Sequence, residues 1–143
     1  MSQTNELEIM ERIALDLEHV EESLASSFNT GAEDFNALIR PLSAAGGKRL
    51  RAQLCLLIAN AGTSIERQRI KIAEAVEMLH LATLIHDDVL DQAEIRRGED
   101  TIHMHKGNKV AILSGDYLFA KAFKIVSEMT NMKYLQVFSH IIT

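Results

Sequence analysis

Helix breakers are nearly absent from this chain, and that constrains its fold more than any other feature. One proline and seven glycines are spread over 143 residues, leaving long stretches uninterrupted. In the first stretch Met10, Ile13, Leu17, Val20 and Leu24 recur at spacings of three and four. That spacing draws one apolar stripe along a helix over 6–26, with Glu and Asp on the other faces. Nowhere do apolar and polar residues alternate with the period of a half-buried strand. Hydrophobic residues make up 47%, enough for a real core. The expected fold is all-α, an antiparallel helical bundle in one domain over 1–143. Residues 1–30 read as an N-terminal amphipathic helix, available for packing or for an oligomer contact.

Punctuation divides the remainder. Asn29, Thr30 and Gly31 break the first helix, and a short helix is expected over 34–44 with Pro41 bending or breaking it. Gly46-Gly47 predicts a turn, then a mostly buried helix over 48–61 that Gly62 ends. Thr63 with Glu66 offers a capping box for the next helix, and Ser64 is the neighbouring cap candidate. That helix is expected over 65–91. Residues 92–108 are polar, with Gly98 and Gly107, and read as a loop or a loosely helical connection. A helix over 108–128 follows, then an apolar-periodic stretch with Met132, Leu135, Phe138 and Ile142. It stops inside its pattern at Ile141-Ile142-Thr143, so this face is expected to need a partner or further chain to cover it.

The net charge of −5 argues against a nucleic-acid partner. Local basic clusters at Lys48, Arg49 and Arg51, and at Arg96 and Arg97, suit small anions instead. Cys55 is the sole cysteine; it excludes an internal disulfide framework and fits a core position in a reducing compartment. The acidic start, with Glu6, Glu8 and Glu11, lacks the features of a signal peptide. No apolar run reaches the roughly 18 residues of a membrane span. A cytoplasmic protein is expected.

The chemistry concentrates at His86-Asp87-Asp88-Val89-Leu90-Asp91, which ends an apolar run containing Leu79, Leu81, Leu84 and Ile85. Asp87 and Asp91 are four residues apart and share a helix face. Like charges at that spacing destabilise a helix unless a cation lies between them. Carboxylates beside a phosphate are a usual way to hold Mg²⁺. Alone, such a motif reads as a solvated helix end; its neighbours change that. His80 lies about two turns before Asp87 on the same face, placed to donate to a second anion. Lys48, Arg49 and Arg51 follow a glycine turn at a helix start, where free N–H groups and the helix dipole favour anions. Arg96-Arg97 follow the acids, and arginine suits bidentate phosphate recognition.

Taken in order, Gly46-Gly47-Lys48-Arg49-Leu50-Arg51, His80, Asp87-Asp88-x-x-Asp91, Arg96-Arg97-Gly98, Gly107-Asn108-Lys109 and Ser114-Gly115-Asp116-Tyr117-Leu118 resemble the trans-polyprenyl (isoprenyl) diphosphate synthases. The resemblance spans about residues 38–123. It implies the N-terminal half of an isoprenoid-synthase-type fold, and a Mg²⁺-dependent prenyltransferase that condenses isopentenyl diphosphate with an allylic diphosphate. Carried over by position, Asp87 and Asp91 hold Mg²⁺ bridging the allylic diphosphate, with Asp88 in support, and Arg96 contacts that diphosphate. Lys48, Arg51, His80 and Arg97 bind isopentenyl diphosphate. Ala82 and Thr83, with Met78 a turn deeper, occupy the positions of the family's chain-length tunnel. Their small size there implies a medium- or long-chain product. Ala52 stands where the family usually has proline, so the helix start is expected to differ.

The family's second half carries another aspartate-rich motif, and outside 87–91 this chain has no further Asp-Asp pair. The expectation is a fragment or split subunit acting with a C-terminal-half chain or in a homo- or hetero-oligomer. The alternative is a non-catalytic regulatory subunit of a prenyl synthase. A metal phosphohydrolase built on His86-Asp87 with His80, His103 and His105 would leave both basic clusters unexplained. A terpene cyclase would have no use for Lys48, Arg51 and His80.

Overall fold

The computed structural model describes residues 3–44, 47–62, 65–129 and 131–142. These form α1 (Gln3–Ser27), α2 (Glu33–Ala44), α3 (Leu50–Asn60), α4 (Glu66–Leu90), β1 (Ile95–Arg96), β2 (Glu99–Asp100), α5 (Ile102–Lys106), α6 (Asn108–Ser127) and α7 (Met132–Ile142). The all-α expectation holds. Gly46, the cap candidates Thr63 and Ser64, and Thr143 lie outside the described residues.

The bundle is built around α4. Ala73, Ala75, Met78, Leu79, Leu81, Ala82 and Ile85 are all buried along it, which suits a helix enclosed on several sides. It packs against α1, α3, α5 and, most extensively, α6. The α6 face contributes the small buried residues Ala111, Ser114, Gly115 and Ala122, which let the two backbones come close. Phe123 and Phe138 meet edge-on at 5.3 Å to join α6 to α7.

On α1 the expected stripe is kept at Ile13, Val20 and Leu24, with Leu17 half-buried. Met10 departs from it: it is 63% exposed, and Ile9 packs on the core instead. A strict three-four alternation follows a period of 3.5, and a straight helix drifts out of phase with it.

Polar ties fix the helices' register. Arg69 of α4 donates to Asp16 of α1 at 2.6 and 2.9 Å, both side chains buried, and Asn60 of α3 adds a bond at 3.1 Å. Burial pushes the Asp16 carboxyl up, but hydrogen bonds from Arg69 and Asn60 and the Arg69 charge outweigh it and hold the group below its usual value. Wholly buried Glu74 accepts from Ser23, Ser27 and Lys71, each at 2.7 Å.

Three expectations change. Pro41 does not end α2, which runs on to Ala44. It falls in the last turns, and the bond it removes belongs to the carbonyl of Ala37, an exposed residue. The helix expected from residue 48 as mostly buried starts at Leu50, after Arg49 in a left-handed conformation (φ 46°). Only Ala52 and Leu56 are buried along it, because one side packs on α1 and α4 and the other is left open. Finally, 92–108, expected as a loop or a loosely helical connection, is helical at α5 but also holds a hairpin that neither reading includes. Arg97 (φ 54°) and Gly98 (φ 87°) form its two-residue turn, with Ile95 opposite Asp100 and Arg96 opposite Glu99. Strands of two residues are too short to show alternation, so periodicity had no signal to give. No helix among the described residues is long and apolar enough to cross a membrane.

Candidate functional site

The acidic motif occupies the last turn of α4 and its C-cap, Asp91, where helix geometry separates the three carboxylates. Asp87 and Asp91 are exposed, while Asp88 is buried. Neither exposed side chain has a hydrogen-bond or ion-pair partner among the described residues. Asp88 points inward, where Arg96 Nε donates to its Oδ1 at 2.6 Å. The last turn of α4 has no basic residue, so these acids sit at the negative end of the helix dipole. The concentration of negative charge costs local stability and favours a cation at the exposed face.

The chain beyond the motif is tied back tightly. The Asp88 carbonyl accepts from Ala93 N at 2.9 Å. The Ala93 carbonyl in turn lies 2.8 Å from both Thr101 Oγ1 and His103 Nε2. This lacing carries the hairpin back over α4 and sets Arg97 at its tip.

Lys48, Arg51, His80 and Arg97, singled out as one binding set, line a single hollow of about 150 Å³. Gly47 and Arg49 complete its rim, and Glu77, Leu81 and Leu84 also line it. Burial lowers the His80 pKa, and Arg51 lowers it further, against the pull of Glu77. An anion there would reverse that balance. Arg97 reaches the hollow from a left-handed turn position, and its guanidinium lies 3.2 Å from where a Gly47 Cβ would stand. A non-glycine residue at positive φ is uncommon, and two arginines at this rim adopt it.

Structure splits the first basic cluster. Lys48 and Arg51 are exposed at the hollow, whereas Arg49 is buried, bonded to Glu21 at 2.5 Å with Glu77 at 3.6 Å. Glu77, which no sequence motif marks, also accepts the backbone N–H of Ala52 at 3.0 Å. A proline at 52 has no N–H to offer, so the departure at Ala52 is used by the fold. The signal that could have found Glu77 is a carboxylate inside an apolar run, one turn before His80.

A second hollow, of about 190 Å³, lies between α2, α4, the hairpin and α5. Leu38, Leu42, Leu81 and Ile85 give it apolar walls, with Asp88 and Arg96 at its edge. Arg96 therefore meets Asp88 here rather than the set around His80. Met78 and Ala82, expected in a chain-length tunnel, are wholly buried in the core. Thr83 is half-buried and donates to the His80 carbonyl at 2.8 Å. None of the three lines either hollow.

The histidines required by a phosphohydrolase disperse. His80 lines the basic hollow, His86 faces the Ile112 carbonyl of α6, His103 the Ala93 carbonyl, and His105 lies 3.7 Å from Asp100. Among the described residues, the three-residue group with metal-ligand spacing is Asp16, His19 and Glu66. Arg69 already neutralises Asp16 there, so that group is a structural tie.

A helical bundle of this architecture, wrapped around α4, is an isoprenoid-synthase fold. The chain belongs to the polyprenyl synthetase family, whose profile matches residues 32–143. It is 33% identical over 140 residues to solanesyl diphosphate synthase 1, chloroplastic, of Arabidopsis thaliana, covering 94% of this chain and 34% of that protein. It is 33% identical over 131 residues to octaprenyl diphosphate synthase of Escherichia coli (strain K12), covering 92% of this chain and 41% of that protein. Among solved structures it resembles polyprenyl synthase from Caulobacter crescentus CB15 complexed with calcium and isoprenyl diphosphate. That match has a TM-score of 0.86 and 35% identity, over 92% of this chain and 40% of the other. The chain thus spans well under half the length of these relatives.

Proposed function

We propose that this chain supplies the isopentenyl-binding pocket and the first metal-binding face of a trans-polyprenyl diphosphate synthase. The observation that carries the reading is the convergence of Lys48, Arg51, His80 and Arg97 on one hollow, next to a helix end with two exposed carboxylates. Exposed, unpartnered carboxylate oxygens are hard donors and suit a hard divalent cation, so Asp87 and Asp91 fit Mg²⁺. When bound, the metal would supply charge stabilisation to a departing diphosphate.

The chain's own residues do the rest. Lys48 and Arg51 neutralise the isopentenyl diphosphate, Arg97 closes over it from the hairpin tip, and His80 donates to it from the helix beneath. Arg96 is shared between Asp88 and the allylic diphosphate. The reaction breaks the allylic C–O bond with its electron pair leaving on diphosphate. The isopentenyl double bond then attacks the allylic cation, and a proton is lost. The solanesyl and octaprenyl diphosphate synthases among this chain's relatives support a medium- or long-chain product.

Completion by further protein fits the surface. Leu50, Leu54, Leu57 and Ile58 of α3 are 47–66% exposed and share one side of the helix. Ile112 and Leu113 of α6 and Val137 and Ile141 of α7 are exposed too. Such rows suit a C-terminal-half chain or another subunit.

Calorimetry with isopentenyl diphosphate, and with inorganic diphosphate plus Mg²⁺, tests the reading. Lys48→Ala/Arg51→Ala should abolish the first binding, and Asp87→Ala/Asp91→Ala the Mg²⁺-dependent second. Failure of the unmodified chain to bind either would sink the proposal. Turnover of farnesyl diphosphate with labelled isopentenyl diphosphate by the chain alone would show that no further chain is needed.

A further inference from the structure

We infer that His86 is a positioning residue for the Asp87 and Asp91 face, and that Gly115 and Asp116 of α6 are its seat. The inference rests on the metal-binding reading above. It also gives a role to the Ser114-Gly115-Asp116 stretch, which neither hollow uses.

His86 Nε2 lies 3.1 Å from the Ile112 carbonyl oxygen and 3.4 Å from Asp116 Oδ1. A carbonyl only accepts, so Nε2 carries the proton in that contact. The ring stacks on Phe119 with centroids 5.5 Å apart and planes 30° from parallel. Beneath it is Gly115: a Cβ built there would stand 2.3 Å from His86 Nε2 and 2.5 Å from Cδ2. No side chain tolerates that approach. Glycine inside a helix is disfavoured on entropic grounds, and here the imidazole occupies the space a side chain would take.

The consequence falls on Asp87. Its two neighbours are both pinned, His86 on α6 and Asp88 on the Arg96 of the hairpin. Asp87 is the exposed residue between them, so the rotation of this turn about the α4 axis is fixed. Two carboxylates four residues apart at a helix end repel each other and favour fraying. Held from both sides, they face the same direction before a cation arrives, and less ordering is left for binding to supply.

The test uses Mn²⁺ with inorganic diphosphate as probe and reads free Mn²⁺ by electron paramagnetic resonance, well below every variant's melting temperature. His86→Ala should weaken Mn²⁺–diphosphate binding about tenfold, the low end for groups that support metal ligands. His86→Gln keeps an N–H donor and should recover most of the loss. Gly115→Ala evicts the ring and should reproduce the loss, but add nothing on the His86→Ala background. Val126→Ala, buried farther along α6, should lower stability and leave binding unchanged. Wild-type binding in His86→Ala would overturn the inference. So would an undiminished effect of Gly115→Ala without the ring, or an equal loss in Val126→Ala. Absence of Mn²⁺-dependent diphosphate binding in the unmodified chain would sink the metal-binding reading, and this inference with it.

Discussion

In its first turns α4 carries Arg69 and Glu74, both buried and both paired: Arg69 with Asp16, Glu74 with Lys71 and two serines. At its other end the same helix carries Asp87 in the last turn and Asp91 at the C-cap, exposed and without partners among the described residues. One helix thus handles charge in two ways. Paired charges inside the bundle set how α1 and α3 lie on α4, and their removal should be felt as lost stability. Unpaired charges at the open end work against the helix dipole, and their removal should be felt as lost binding. Asp88 lies between these regimes, inside the motif by sequence and inside the ion-pair network by burial.

Four experiments break or sharpen this contrast. Arg69→Met should cost about 3–5 kcal/mol in denaturant unfolding, because it leaves Asp16 buried with no countercharge. Adding Asp16→Leu should restore much of that loss. A cost below about 1 kcal/mol would mean that the pair does not organise the bundle. Ala52→Pro should cost about 1–3 kcal/mol by depriving buried Glu77 of the α3 backbone donor. A neutral result would mean that Glu77 is satisfied by Arg49 alone.

The third experiment follows pH. Burial, then Arg51, hold the His80 pKa below its ordinary 6.5, with Arg97 and Arg96 acting in the same sense and Glu77 opposing. The unfolded chain therefore binds the proton more readily. Stability contributed by neutral His80 is complete above 6.5 and declines as pH falls from there to the lower folded value. His80→Gln should flatten that part of a stability–pH curve, and bound diphosphate should shift the decline by raising the His80 pKa. The smallest effect on stability belongs to Asp87→Asn and Asp91→Asn, each within about 0.5 kcal/mol of wild type or slightly above it. Mg²⁺-dependent diphosphate binding should nevertheless be lost in both. A large destabilisation would place these acids with Arg69 rather than apart from it.

How much of this was legible beforehand differs from residue to residue. The α1 stripe could be read because apolar spacing reports helix faces directly, and it slipped only at Met10, where the period drifts. The hairpin could not be read, since two-residue strands have no period and Arg97-Gly98 is a weak turn signal. The family resemblance marks Lys48, Arg51, His80 and Arg97 as one set; their meeting in one hollow depends on the hairpin folding back onto α4. Arg49 looked equivalent to its neighbours, and only the positions of Glu21 and Glu77 made it a core residue.

The sequence by itself determined the helical class, the spans of the longer helices to within a few residues, and the common face of Asp87 and Asp91. These follow from local geometry: 3.6 residues per turn and the position of each breaker. Tertiary structure decided which charges are buried, which acid turns inward, where the basic hollow forms and what His86 rests against. Those outcomes depend on partners distant in the chain, such as Asp16 and Arg69 at a separation of 53 residues. No local pattern encodes such a partner, because burial and pairing exist only once the helices have packed.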